Sequence, residues 1–249
     1  PWVGLDNFIY MFQIPDSRQI FLNTIVIAVS KIAMNLVVPL LFALLLNEVR
    51  LKWFKRTIQT MVYLPHFLSW VILASMFKVN IFSLEGVINR GLEWIGVEPI
   101  LFMASNFWFR PIIVATDVWK EFGFGTIVYL AAITSVSPVL YESAVIDGAT
   151  RVQRIRYITL PGIAATIVLL GTLSLGNVLN ANFDQIFNMY NSLVLETGDI
   201  IDTYVYRSGL LSRQYSYAAA VGVFKSVSAM ILLLIANRVA KWVGQPGIW

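Results

Sequence analysis

The chain of 249 residues is 58% hydrophobic and only 13% charged, with a mean hydropathy of +0.72. Soluble domains average about 25% charged residues, and so large a deficit along the whole length excludes an ordinary soluble protein and indicates a polytopic membrane protein. The net charge of +4 does not point to nucleic acid, because the basic residues stand at the ends of apolar runs, where orientation in a membrane accounts for them.

The lack of cysteine and the single histidine, His66, exclude a disulfide framework, a thiolate metal site and a His-rich metal centre. No Gly-x-x-x-x-Gly-Lys-Ser/Thr sequence occurs, so the chain has no phosphate-cradling loop of its own.

Crossing the hydrocarbon of a bilayer takes about 20 predominantly apolar residues, and five stretches qualify. Residues 1–18, with Pro1, Gly4, Pro15 and Asp16, read as an outer surface segment. The first span is about 20–46, interrupted by Lys31 and by Pro39, which membrane helices tolerate. A basic connector follows, with Arg50, Lys52, Lys55 and Arg56. The second span, about 57–77, includes Pro65 and His66, the latter read as a packed polar residue at a bend. Residues 78–106 are mixed, and Val87, Ile88, Leu92 and Ile95 suggest a short amphipathic helix on the membrane surface.

The third span is about 109–133. Asp117, Lys120 and Glu121 fall inside it, and each charge at a bilayer centre costs about 2.5–3.5 kcal/mol, so they should face protein or water. Asp117 and Lys120 are spaced to pair, while Lys31 and Lys225 are expected to snorkel or line a cavity.

Residues 134–160 form a charged island between apolar runs. Glu142 and Asp147 open it, and Arg151, Arg154 and Arg156 close it. A helix that stops at Gly148, breaks and resumes would project a short element along the membrane surface. The fourth span is about 161–180, and the fifth about 216–237.

The connector 47–56, the island and the tail 238–249 hold nine Lys and Arg, against five in the loops on the other side. The excess places those three segments, and the C-terminus, in the cytoplasm.

Polar residues at membrane depth mark substrate pathways. Asn177, Asn180, Asp184 and Asn188 would share one face if the fourth span's helix continued that far, with Phe183, Phe187 and Tyr190 close by. Amides, carboxylates and flat rings suit a ligand that offers hydroxyls and apolar ring faces. Asp117 and Lys120 are further candidates for the pathway. Interhelical hydrogen bonding is the competing use for these asparagines.

Glu142, Ala144, Gly148, Ile158, Leu160 and Pro161 stand at the spacing Glu-x-Ala, then Gly, then Ile-x-Leu-Pro, which resembles the EAA loop of ABC importer permeases. Asp147-Gly148-Ala149 is similar to its carbohydrate, maltose-type branch; Ser143 departs from the usual Ala, small for small. The resemblance runs from Val3 to Trp249. Phe183-Asp184-Gln185-Ile186-Phe187, Ile200-Ile201-Asp202-Thr203-Tyr204 and Gly247-Ile248-Trp249 resemble the branch importing oligosaccharides from complex polysaccharides, alginate and other uronates among them.

The resemblance implies an all-α membrane protein with the type I (MetI-like) permease core. It also implies a further helix upstream, consistent with Pro1 in place of Met. The island would be a coupling helix through Glu142, Ala144, Asp147, Gly148, Ala149, Ile158, Leu160 and Pro161. The implied partners are a second homologous permease (a heterodimer), two ATPase subunits that bind ATP and Mg, a solute-binding protein and an oligosaccharide, all at a bacterial cytoplasmic membrane. No cofactor is expected in this chain itself.

An ion-coupled sugar transporter using Asp117, Lys120 or Glu121 is the alternative, and it leaves the island unexplained. A membrane-embedded enzyme would need a cluster of acids, histidine or a nucleophile, which one histidine and scattered carboxylates do not supply.

Overall fold

The computed structural model describes residues 3–242; the Gly247-Ile248-Trp249 tail lies outside the described residues. Among the described residues every regular element is helical. Helices satisfy their own backbone N–H and C=O groups, as lipid requires.

Two helices are long and apolar enough to cross a membrane unbroken, and up to five crossings result if each bent helix pair counts as one. The first is Ser17–Asn47. Its Leu22, Ile25, Val29, Val37, Leu41 and Leu45 are 42–69% exposed, whereas Ile27, Ala43 and Leu46 are at most 2% exposed. A helix apolar all round, with one side packed on protein and the other bare, is suited to lipid. The last crossing is helix Tyr215–Trp242, and the third is Asn106–Thr134.

The second and fourth expected spans are interrupted. Residues 57–77 fall into helix Lys52–Tyr63, a 3-10 turn at Leu64–Phe67, and helix Trp70–Met76, which widens into a π turn at Phe77–Ile81. Pro65 has no N–H to continue a ladder, and Ser69 Oγ accepts from Ile72 N–H to start the next helix. The fourth span bends by 59° between Arg151–Gly162 and Ala164–Leu175. Its helix ends at Leu175 rather than near residue 180.

The chain gathers into two compact units. One comprises Pro1–Lys31, Leu68–Asp117 and Asn177–Ile231. Its core holds Ile27, Trp70, Phe77, Phe109, Ile113 and Ile186. Helix Asp6–Gln13 belongs to this unit, with Met11 buried and its carbonyl accepting from Ser17 Oγ.

Helix Val87–Trp94 also forms there, but its expected apolar face splits. Ile88 and Leu92 pack on the core, while Val87 and Ile95 are 70% and 74% exposed. The position that is wholly buried belongs to Asn89. Its Nδ2 donates to the Ser83 and Ile100 carbonyls at 2.8 and 2.9 Å, and its Oδ1 accepts from Ile100 N–H at 2.8 Å.

The other unit comprises Ile32–Phe67, Val118–Gly176 and Leu232–Trp249. Ala43, Leu46, Tyr129, Leu130, Ile133 and Ile163 form its core.

Candidate functional site

The island folds as a helix, a capped reversal and a second helix. Pro138 sits in the first turn of Pro138–Ile146, where its fixed φ suits the helix and its missing N–H is not needed. At the other end Gly148 N–H donates to the Val145 carbonyl at 3.1 Å and Ala149 N–H to the Ala144 carbonyl at 2.8 Å. These paired bonds are a Schellman motif, which needs a residue in the left-handed region. Gly148 provides it at φ 74°.

Thr150 then starts the next helix with a capping box. Its Oγ1 accepts from Gln153 N–H at 3.4 Å, and Gln153 Oε1 accepts from Thr150 N–H at 2.7 Å. The second arm runs through Arg151–Arg154, a π turn at Ile155–Thr159, and Leu160–Gly162. A hydrogen bond of 2.9 Å between the Tyr141 and Thr159 hydroxyls ties the two arms together. Arg151 reaches Glu48 of the basic connector at 3.7 Å.

Glu142, Asp147, Gly148 and Pro161 are exposed, and Ala144, Ala149, Ile158 and Leu160 are half-buried. Between the two acids stand Val145 and Ile146, 55% and 86% exposed. The island therefore presents a firm apolar knob flanked by carboxylates.

The residues read from the fourth span do not share a helical face. After Leu175 the chain turns, with Asn180 N–H donating to the Asn177 carbonyl at 2.8 Å and Asn182 at φ 68°. Asn182 then caps a separate helix, Phe183–Met189. Asn177 and Asn180 thus lie on the turn, both exposed, while Asp184 and Asn188 lie on the new helix. Asn188 spends its amide on its own helix, donating to the Asp184 carbonyl at 2.7 Å.

The aromatic half of that expectation does assemble. Phe183 and Phe187 stack at 5.1 Å, and Tyr206 packs on both, at 5.7 and 4.9 Å. A cavity of about 320 Å³ beside them is lined by Phe183, Tyr206, Tyr215 and Asp202. Asp202 is ion-paired with Lys225 at 2.5 Å, so Lys225 is tied to a carboxylate rather than snorkelling.

Lys31 does not snorkel either. Its Nζ lies 3.1 Å from Asp117 Oδ1 and donates to the Ala181 carbonyl at 2.8 Å and to Gln185 Oε1. Asn182 Nδ2 adds a longer bond to Asp117, at 3.5 Å. Gln185, wholly buried, donates in turn to the Ile113 carbonyl at 2.7 Å and Thr116 Oγ1 at 2.9 Å. These contacts seal Asp117 and Lys31 within the unit and fix helix Phe183–Met189.

Nearby, Arg110 bonds Asn23 Oδ1 and the Thr197 carbonyl. Arg207 grips Asp199 with both terminal nitrogens, and those hydrogen bonds hold its guanidinium above its ordinary value.

A different cluster stays open. In the second unit His66 Nδ1 donates to Glu121 Oε2 at 2.7 Å, while Lys120 Nζ donates to Glu121 Oε1 at 3.0 Å and to the His66 carbonyl at 2.8 Å. The His66 ring stacks on Phe124 at 4.1 Å and 6°. The His66 and Glu121 side chains are 28% and 32% exposed, and Phe124 and Phe67 are 44% and 75% exposed. Gly123 allows this approach: a Cβ there would collide with the Val62 carbonyl.

An accessible carboxylate, an imidazole and bare ring faces inside expected spans can hydrogen-bond and stack on a sugar. The sequence points to Lys120 as a pathway residue, to Glu121 as a third-span charge and alternative ion-coupling residue, and to His66 as packing. Glu121 lies 55 positions from His66, and no local pattern joins them.

Residues 35–245 match the family described as binding-protein-dependent transport system inner membrane component. The chain is 44% identical over 248 residues to the polygalacturonan/rhamnogalacturonan transport system permease protein YteP of Bacillus subtilis (strain 168), covering 100% of this chain and 77% of that protein. It is 45% identical, over 100% of its length and 78% of the relative's, to Protein LplB of the same strain.

A crystal structure of a bacterial alginate ABC transporter in complex with an alginate pentasaccharide-bound periplasmic protein contains a chain 42% identical to this one, at a TM-score of 0.95 over 99% of this chain and 85% of that chain. An amino acid ABC transporter at 12% identity and a TM-score of 0.62 shares the fold.

Proposed function

Because the chain belongs to the binding-protein-dependent transport system inner membrane components, we propose that it is the permease subunit through which an ABC importer passes acidic oligosaccharides of the uronate class. YteP and the alginate transporter, similar along nearly the whole chain, support that cargo class.

The observation that carries the coupling role is the island: a rigid, capped reversal whose Val145 and Ile146 stand bare between Glu142 and Asp147. Such an element transmits motion because it is stiff and its side chains hold fixed places. It docks into a groove of an ATPase subunit on the cytoplasmic side, where the positive-inside count puts the island and the C-terminus. ATP and Mg are bound and hydrolysed by that partner. A second, homologous permease completes the pathway, and a solute-binding protein delivers cargo to the opposite face. ATP shifts the assembly between two access states by binding one of them more tightly.

Along the pathway, His66, Lys120, Glu121 and Phe124 form the polar and aromatic contact for sugar. The Phe183, Phe187 and Tyr206 cluster forms a second aromatic surface, with Asp184 and Asn188 on the same helix as the two phenylalanines and Asn177 and Asn180 on the turn before it. Asp117 supports this pathway as a buried anchor.

The test is ATPase stimulation of the reconstituted assembly by binding protein loaded with a uronate oligosaccharide. With Gly148→Asp or Glu142→Lys in this chain, the subunits are expected to co-purify while stimulation is lost. Stimulation that survives both changes would remove the island from coupling.

A further inference from the structure

The basic connector has a feature that orientation alone does not explain. Arg50, Lys52, Lys55 and Arg56 fall within seven positions, and the sequence holds no Asp or Glu from Val49 to Leu84. Arg50, Lys52 and Arg56 are exposed and Lys55 is half-buried. The nearest acid, Glu48, is engaged by Arg151 of the island at 3.7 Å. The positive charge here is therefore not offset locally.

Interleaved with the cations are two bare rings, Trp53 at 69% exposure and Phe54 at 43%, set edge to face at 5.8 Å. They sit in the first turn of helix Lys52–Tyr63. At about 100° per residue, Lys52, Lys55 and Arg56 fall within one arc of roughly 100°, and Trp53 and Phe54 lie outside it. A helix with cations on one side and aromatic rings on the other lies at a membrane interface, rings toward the acyl boundary and cations among headgroups. Tryptophan favours that depth for the same reason. Counting charges for orientation requires the cations only; it does not require the rings to be bare or to occupy the other side.

We propose that Arg50–Arg56 is a binding site for phospholipids with anionic headgroups, in which Arg50, Lys52, Lys55 and Arg56 hold the headgroup phosphates and Trp53 and Phe54 seat in the acyl boundary. The occupant is fixed by charge complementarity together with the rings: a soluble anion uses the cations but leaves the rings in water, whereas a lipid satisfies both. The site is independent of cargo, requiring only that the chain sits in a bilayer.

The chain has no cysteine, so Thr57→Cys, at an exposed position one turn beyond Trp53, gives a unique place for a fluorophore. The full chain is reconstituted in phosphatidylcholine vesicles containing a minority of phosphatidylglycerol, with bromine quencher on the acyl chains of one lipid or the other. Phosphatidylglycerol is expected to quench with an enrichment of about fivefold over its bulk fraction, the gain from one cation held at an anionic surface. The enrichment should fall to the bulk value in R50Q/K52Q/K55Q/R56Q and persist when inorganic phosphate is added.

Quenching by both lipids in proportion to their bulk amounts overturns the proposal. Enrichment that survives the four substitutions does the same, because the cations would not be holding the lipid. Enrichment abolished by inorganic phosphate would assign the site to a free anion instead. Since no transport is read, none of these outcomes depends on the importer reading.

Discussion

Lys31 Nζ lies 3.1 Å from Asp117 Oδ1, with the two side chains only 6% and 7% exposed. Removing one partner of a buried pair strands the other charge and costs roughly 3–5 kcal/mol. Lys31→Met, which keeps length and apolar stem, is therefore expected to lower the thermal midpoint of the detergent-solubilised chain sharply. Adding Asp117→Asn should restore part of the loss, because the stranded charge goes. Midpoints from size-exclusion of heated samples check this, and a double variant less stable than Lys31→Met alone would show that the pairing is not what stabilises the site.

Asn89 supports the segment from Ser83 to Ile100 through three hydrogen bonds. Asn89→Ala leaves those backbone groups without that partner in a buried position, at about 1–3 kcal/mol for each unsatisfied group. Amide exchange at Ile100 is expected to quicken by at least about fivefold, the low end of one such loss, while helix Tyr215–Trp242 is unchanged. Uniform quickening along the chain would mean global destabilisation instead.

At Gly148 two demands can be separated. The residue sits at φ 74°, and among the described residues a Cβ built there meets nothing within 4 Å beyond its chain neighbours. Left-handed geometry costs a side-chain-bearing residue about 1–2 kcal/mol, less for Asn. If the backbone alone matters, coupled ATPase activity should rank Gly, then Asn, then Ala, then Val. Equal failure of Asn and Ala would instead mean that a docked partner needs the space itself.

The open cluster in the second unit yields a substrate-affinity test. Phe124→Ala removes the ring on which His66 stacks, and Glu121→Gln removes the charge that accepts the His66 and Lys120 hydrogen bonds. A hydrogen bond to a charged group contributes about 1.5–3 kcal/mol, so half-saturation by cargo should rise by about tenfold or more for Glu121→Gln. Basal ATPase activity should hold. Unchanged half-saturation in both variants would take this cluster off the pathway.

How much of this was legible in the sequence depended on how local each determinant is. The island was legible down to its break, since Pro138, Gly148 and Thr150 act on the backbone within a few residues of themselves. The continuous crossings were legible because long apolar runs have one solution in lipid. The end of the fourth helix was not, because the chain turns after Leu175 and Asn182 starts a new helix from the left-handed region, a conformation open to asparagine but not announced by it.

The partners of Lys31 and His66 were hidden for another reason. Asp117 and Glu121 sit one turn apart on helix Asn106–Thr134, yet one pairs with Lys31 and the other with His66. Spacing made Asp117 and Lys120 the obvious pair, whereas packing between distant segments supplied the additional partners. Gln185 carried no more signal than one amide between Asp184 and Ile186, although it is wholly buried.

The bonds that close the turn at Gly148 run between residues 144 and 153. The reversal thus acquires its shape from its own few residues, without waiting for another subunit. A chain freshly inserted in the membrane already carries the finished turn, and little backbone ordering entropy remains to be spent when a partner arrives. On the proposed docking, assembly at this joint is then governed by encounter rather than by folding.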